Sequence, residues 1–86
     1  MTYHLELAKE AESDLETLYK ADRTIFNRIL AKIESLSQSP FEGKPLLGNH
    51  KGEYSLRLGN YRIVYEIDTG KHIVYVLTLK HRKHVY

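Results

Sequence analysis

The stretch "SLRLGNYRIVYEI" (55–67) leaves this chain little freedom. Gly59-Asn60 is a two-residue turn signal between two alternating runs, so the segment reads as a tight β-hairpin. With that loop Leu58 pairs with Tyr61, Arg57 lies opposite Arg62, Leu56 opposite Ile63 and Glu53 opposite Glu66. Side chains alternate along a strand, which puts Tyr54, Leu56, Leu58, Tyr61, Ile63, Tyr65 and Ile67 on one face. Arg57 and Arg62 share the other. Like charges directly opposed in a sheet are destabilising. Either the two arginines are solvated on an open face, or an anion normally sits between them.

The rest of the sequence must build a core against the apolar face. "TYHLEL" (2–7) alternates and reads as a short strand. From Ala8 the period becomes helical, with Ala8, Ala11, Leu15, Leu18 and Tyr19 on one stripe and acids in the first turns. After a break near Ala21-Asp22, where Asp22 is a candidate N-cap, a second helix carries Ile25, Phe26, Ile29, Leu30, Ile33 and Leu36. "SQSP" stops it, because the residue before Pro40 is pushed out of helical geometry. "FEGKPLLGNHKG" (41–52) reads as a loop. "DTG" (68–70) reads as a short turn with glycine in the left-handed position, followed by an apolar strand, "HIVYVLTLK" (72–80). Pairing Ile67 with Lys71 places Ile73, Tyr75, Leu77 and Leu79 on the core face. Val74, Val76, Thr78 and Lys80 then lie beside the arginines, with Arg62 opposite Val76.

The expected architecture is α+β in the order β-α-α-β-β-β. Two antiparallel helices pack on one face of a small, mostly antiparallel sheet. The first strand is expected to pair inside that sheet rather than extend the meander. Tyr54, Tyr61, Tyr65 and Tyr75 read as core residues with hydroxyls at the rim. With 86 residues there is room for one domain, 1–86. The acidic N-terminus does not read as a signal peptide, no segment is long and apolar enough to span a bilayer, and a cytoplasmic location is expected. There are no cysteines, hence no disulfide scaffold.

Charge is lopsided. Residues 1–42 hold five Lys/Arg against eight Asp/Glu, whereas residues 43–86 hold eight against three. A basic C-terminal half fits either a polyanion surface or a solvated face. The tail "HRKHVY" (81–86) adds to it. Nothing resembles a Gly-rich phosphate loop before a helix or a Ser-His-Asp arrangement. No histidine pair sits at metal-ligand spacing on a helix, so neither metal nor other cofactor is expected. Glu53 and Glu66 oppose each other, but glycosidase chemistry needs a cleft. What the residues do suit is phosphate chemistry. An RNA 2′-hydroxyl can attack its neighbouring phosphate if protons are moved and the added negative charge is stabilised. Arg57 and Arg62 offer fixed, bidentate donors. Lys80 and Arg82 add charge, and His81, His84 and Tyr86 are candidate proton carriers, with His50 and Lys51 on the loop before the hairpin. The alternative for the tail is a solubilising extension, with Tyr86 as a plain aromatic anchor.

"PLLGNHKGEYSLRLGNYRIVYEI" followed by "YVLTLKHRKHVY" closely resembles the RelE/ParE superfamily of toxins from type II toxin–antitoxin systems, over essentially the whole chain. The resemblance implies the same element order. It implies, for the RelE branch, a metal-independent endoribonuclease that cuts mRNA in the ribosomal A site, and for the ParE branch, poisoning of DNA gyrase. A third outcome is an inactive relative that only binds its antitoxin. By position, Arg57 falls where RelE-type toxins carry a hairpin cation, and Arg62 matches the arginine at the scissile phosphate. Lys80 or Arg82 matches the basic residue near the C-terminus, and Tyr86 the terminal tyrosine proposed as general base. Ser55 departs from the pattern, standing where a second lysine is usual, and His81 and His84 are candidates to compensate. Lys44, His50, Lys51 and Lys83 are candidate contacts to RNA or ribosome. The implied partners are a RelB-like antitoxin, the 70S ribosome with mRNA, and operator DNA only through the antitoxin complex. The arginine face, read as carrying valines, is the candidate antitoxin contact.

Overall fold

A computed structural model describes residues 2–48 and 52–81. The chain runs β1 (His4–Leu7), α1 (Lys9–Ala21), α2 (Arg23–Ser35), β2 (Lys44–Pro45), β3 (Glu53–Leu58), β4 (Tyr61–Asp68) and β5 (Ile73–His81). The expected α+β arrangement is present, with one unexpected element, the two-residue β2. α1 passes into α2 through Asp22 alone, which is extended (φ −154°, ψ 96°) and accepts a hydrogen bond from Ile25 N–H at 3.1 Å. That carboxylate is the N-cap the sequence suggests, satisfying one of the donors a helix start leaves free. Ala11, Leu15 and Leu18 of α1 meet Ile29, Ile33 and Leu36 from α2 and its end. Together they cover Ile63, Tyr65, Val74, Val76 and Leu79 of the sheet. No helix among the described residues is long and apolar enough to cross a membrane.

The strand order is β1-β5-β4-β3-β2. β1 is therefore an edge strand, parallel to β5, and not inside the sheet as expected. The hairpins β3–β4 and β4–β5 leave no gap for insertion, and β2 occupies part of the far edge, so the flank of β5 is where β1 can pair.

The β3–β4 register is the one the sequence dictates: Leu58 opposite Tyr61, Arg57 opposite Arg62, Glu53 opposite Glu66. Gly59 has φ +58° while Asn60 stays at negative φ, the pattern of a type II′ turn whose twist matches the flanking strands.

The β4–β5 register differs from expectation. Asp68 pairs with Ile73, Ile67 with Val74 and Tyr65 with Val76. Then Val64 pairs with Thr78, leaving Leu77 as a bulge, and Arg62 faces Lys80 instead of Val76. Two causes act together. The connection is a four-residue loop, 69–72, in which Asp68 Oδ1 accepts from Lys71 N–H (2.9 Å) and His72, not Gly70, is left-handed (φ 57°). The bulge then reverses the alternation of sides. Val74 and Val76 are consequently fully buried in the core, and Ile73 and Tyr75 lie on the open face. Among the described residues the arginine face keeps Val64 as its one valine, itself 6% exposed, while the Val74 and Val76 expected there are in the core.

Candidate nucleic-acid interface

The sheet face turned away from the helices is ordered in rows, because directly paired residues share a side. At the turn end lie Arg57, Arg62 and Lys80, one on each of three neighbouring strands. The next row is Lys44, Ser55, Val64 and Thr78. Beyond it run Glu53, Glu66, Tyr75 and Glu6. The face is thus bipolar, cationic at one end and acidic at the other. An anionic chain is favoured across the first rows and repelled by the third.

Leu58 and Tyr61 close the turn and take the ladder hydrogen bonds there. Arg57 and Arg62 are therefore a non-hydrogen-bonded pair, the kind whose Cα atoms approach to about 4.5 Å with the closest side chains. Arg57 is exposed and Arg62 half-buried. Neither guanidinium has a carboxylate partner among the described residues. Lys32, by contrast, is bound to Glu42 at 2.7 Å and Arg23 lies over the Tyr19 ring at 4.0 Å, while Arg28, Lys44 and Lys71 likewise have no carboxylate partner among the described residues. Lys80 faces Arg62 in the ladder, while its Nζ pairs with Glu10 of α1 at 2.8 Å. Asp14, one turn further along α1, accepts from the Leu79 backbone N–H at 3.1 Å, closing β5 where β1 has ended. α1 thus fixes the strand that carries Lys80.

His81 falls elsewhere. It pairs with Tyr61, whose side chain is on the helix-covered side, and its ring meets Tyr61 edge-on at 4.9 Å. It lines a groove with Asp14, Thr17 and Leu18 and is not gathered with the arginines. Arg82, Lys83, His84 and Tyr86, with His50 and Lys51, lie outside the described residues.

Sequence reasoning misses the part Tyr65 plays. Its hydroxyl is expected at the rim, but the residue is fully buried. That hydroxyl donates to the Pro40 carbonyl (2.8 Å) and accepts from Gly43 N–H (2.9 Å). A tyrosine in the middle of an apolar strand face is the available signal, since a buried hydroxyl needs partners. Its ring stacks on Tyr54, against which Phe41 packs edge-on. The strut ties the segment after α2 to the sheet and leads directly into β2.

Burial raises the Tyr65 hydroxyl above its usual pKa; the Gly43 N–H opposes the shift, and Glu42 and Tyr54 reinforce it. A group with a raised folded-state pKa contributes stability that is intact below its unfolded value, about 10 for tyrosine, and lost as pH climbs through the folded value. Denaturant melts of wild type and Tyr65→Phe are therefore expected to run parallel up to about pH 10. Above it, wild type should lose stability more steeply than the phenylalanine variant. Equal slopes on the alkaline side would show that this phenol ionises freely in the native state.

A family model described as the ParE toxin of type II toxin–antitoxin system, parDE, matches residues 5–86. The chain belongs to the RelE/ParE superfamily of toxins. Within that superfamily it is similar to toxin RelG of Mycobacterium tuberculosis, 34% identical over 92 residues, covering 100% of this chain and 98% of the relative. Toxin RelE of the same organism is 32% identical over 89 residues, with 98% and 86% covered. The fold superposes on a chain of the M. tuberculosis toxin–antitoxin complex RelBE2 with a TM-score of 0.85 at 31% identity, covering 95% of this chain and 100% of that one. On this sheet Arg57 and Arg62 are directly opposed on the face away from the helices, and neither has a carboxylate partner among the described residues.

Proposed function

We propose that this toxin is a ribosome-dependent endoribonuclease that cuts mRNA in the A site. The observation that carries the reading is Arg57 opposite Arg62 on the open face, neither engaged by a carboxylate among the described residues. A repulsive pair is relieved when one phosphodiester takes both forks. In the reaction the 2′-oxygen bonds to phosphorus as the bond to the 5′-oxygen breaks. The 2′-proton leaves to a base, and the departing oxygen receives one from an acid. The products are a cyclic phosphate and a 5′-hydroxyl, and no metal is required. Arg57 and Arg62 hold the non-bridging oxygens and stabilise the charge that builds on them. Lys80 stands on the neighbouring strand opposite Arg62, and it adds to the positive field once an RNA phosphate draws its ammonium from Glu10. Tyr86 and His84 are assigned the proton transfers, and Arg82 contributes positive charge. Lys44, His50, Lys51 and Lys83 contribute contacts to RNA or ribosome.

RelG and RelE names among the relatives support this reading, as does the small substrate-binding surface, because a ribosome would itself position the codon. The likeness to a chain of a toxin–antitoxin complex supports a RelB-like antitoxin as the restraining partner. Operator DNA would then be met only through that complex. The gyrase-inhibitor reading is favoured by one observation, the ParE description of the matching family. Mapping mRNA 5′-ends in a purified translation system, beside a gyrase cleavage assay, separates the two. Breaks within the A-site codon are expected. Intact mRNA with accumulating gyrase-dependent DNA breaks would give the function to the second reading.

A further inference from the structure

One row in from Arg57 and Arg62, the sheet holds a second polar position. Lys44 on β2 pairs with Ser55 on β3, so both side chains stand on the arginine face. The rows are two residues apart along the strand, about 7 Å, the scale of one step along a nucleic-acid backbone. Lys44 is exposed, and neither it nor the Ser55 hydroxyl has a side-chain partner among the described residues. A lysine needed only for solubility can sit on any loose loop. This one sits on a two-residue strand held at several points. Tyr65 grips Pro40 and Gly43, Lys32 grips Glu42, and Leu46 N–H donates to the Glu53 carbonyl at 2.8 Å. Pro45 then blunts the outer edge, having no N–H to offer a further strand.

We infer that Lys44 and Ser55 form a second phosphate seat, for the phosphate adjacent to the one held by Arg57 and Arg62, and that Tyr65 is the positioning residue that fixes it. This rests on the nuclease reading of the face and narrows it to a two-phosphate track of single-stranded RNA. The acidic third row, Glu53, Glu66 and Glu6, bounds the track on the far side, so that it does not continue along the strands beyond the second seat.

The test is the salt dependence of binding between the full-length toxin and a short fluorescent single-stranded RNA, read by anisotropy. Removing one cation from the phosphates lowers the slope of log Kd against log salt by about 0.7 for a single strand. Lys44→Ala is expected to lower the slope by that amount. Tyr65→Phe, shown to be folded by circular dichroism, is expected to lower it in the same direction. Combining the two should add nothing, because both act on one seat. Should Tyr65→Phe not fold, Lys32→Met loosens the same segment through Glu42 and replaces it. A wild-type slope in Lys44→Ala with a reduced slope in Arg62→Ala would remove the second seat and leave the first. A reduced slope in Lys44→Ala but not in the loosened variants would remove the positioning role. A wild-type slope in Arg62→Ala would overturn the phosphate reading of the face itself.

Discussion

Gly43→Ala is expected to destabilise the toxin by about 2–4 kcal/mol, from overpacking together with broken buried hydrogen bonds. The reason is space and not backbone conformation, since Gly43 does not have positive φ. A Cβ there would stand 2.6 Å from the Tyr65 hydroxyl and 2.8 Å from the Ser55 carbonyl oxygen. Neither neighbour can retreat easily. Ser55 is part of the ladder with both β2 and β4, and the Tyr65 ring is fully buried against Tyr54. Displacing the hydroxyl also opens its bonds to Gly43 N–H and the Pro40 carbonyl, and a buried polar group left unpaired costs about 1–3 kcal/mol. Typical stabilities are about 5–15 kcal/mol, so a small domain loses a large share of its margin. Urea denaturation should show the midpoint falling with an unchanged m-value. Adding Tyr65→Phe to the alanine variant removes the nearer obstacle and should recover part of the loss, while the Ser55 contact keeps recovery incomplete. A midpoint within error of wild type for Gly43→Ala would mean that this segment is not packed against the sheet as described.

The same segment shows where sequence reading stops. The β3–β4 hairpin is legible to the residue, because Gly59-Asn60 allows one loop length and the alternation of polar and apolar side chains then fixes which face is buried. The helices are legible from their stripes and from Asp22. β5 is not, since "IVYVLTL" is apolar at nearly every position and alternation cannot choose a face. The choice is made by His72 taking the left-handed conformation and by the bulge at Leu77, neither of which has a local signature. β2 is too short to carry a period at all, and its existence depends on the Tyr65 hydroxyl, a contact across 22 residues. In the site, Arg57 and Arg62 follow from the hairpin alone. That Lys80 faces Arg62, and that His81 turns to the other side with Tyr61, depends on the β5 register and is therefore out of reach.

Arg62 and Arg57 carry the expectation with the largest effect on activity. Under the nuclease reading, Arg62→Ala should lower A-site cleavage by about 10²–10³-fold, the loss typical when one preorganised donor to a developing oxyanion is removed. Arg62→Lys should recover only part, because a single ammonium keeps the charge but not the planar fork that holds two phosphate oxygens at once. Arg57→Ala should also impair cleavage, and here stability separates function from fold. Arg57 and Arg62 are directly opposed in the β3–β4 ladder without a bridging carboxylate among the described residues, so removing one relieves a cross-strand like-charge pair. Cross-strand pairs of this kind are worth about 0.2–1 kcal/mol, and the melting temperature of Arg57→Ala should therefore stay level or rise while cleavage falls. That opposition of signs is what a site kept for an absent anion must show. A solvated pair with no ligand would instead give unchanged cleavage, and a structural pair would give a lower melting temperature along with the lost activity.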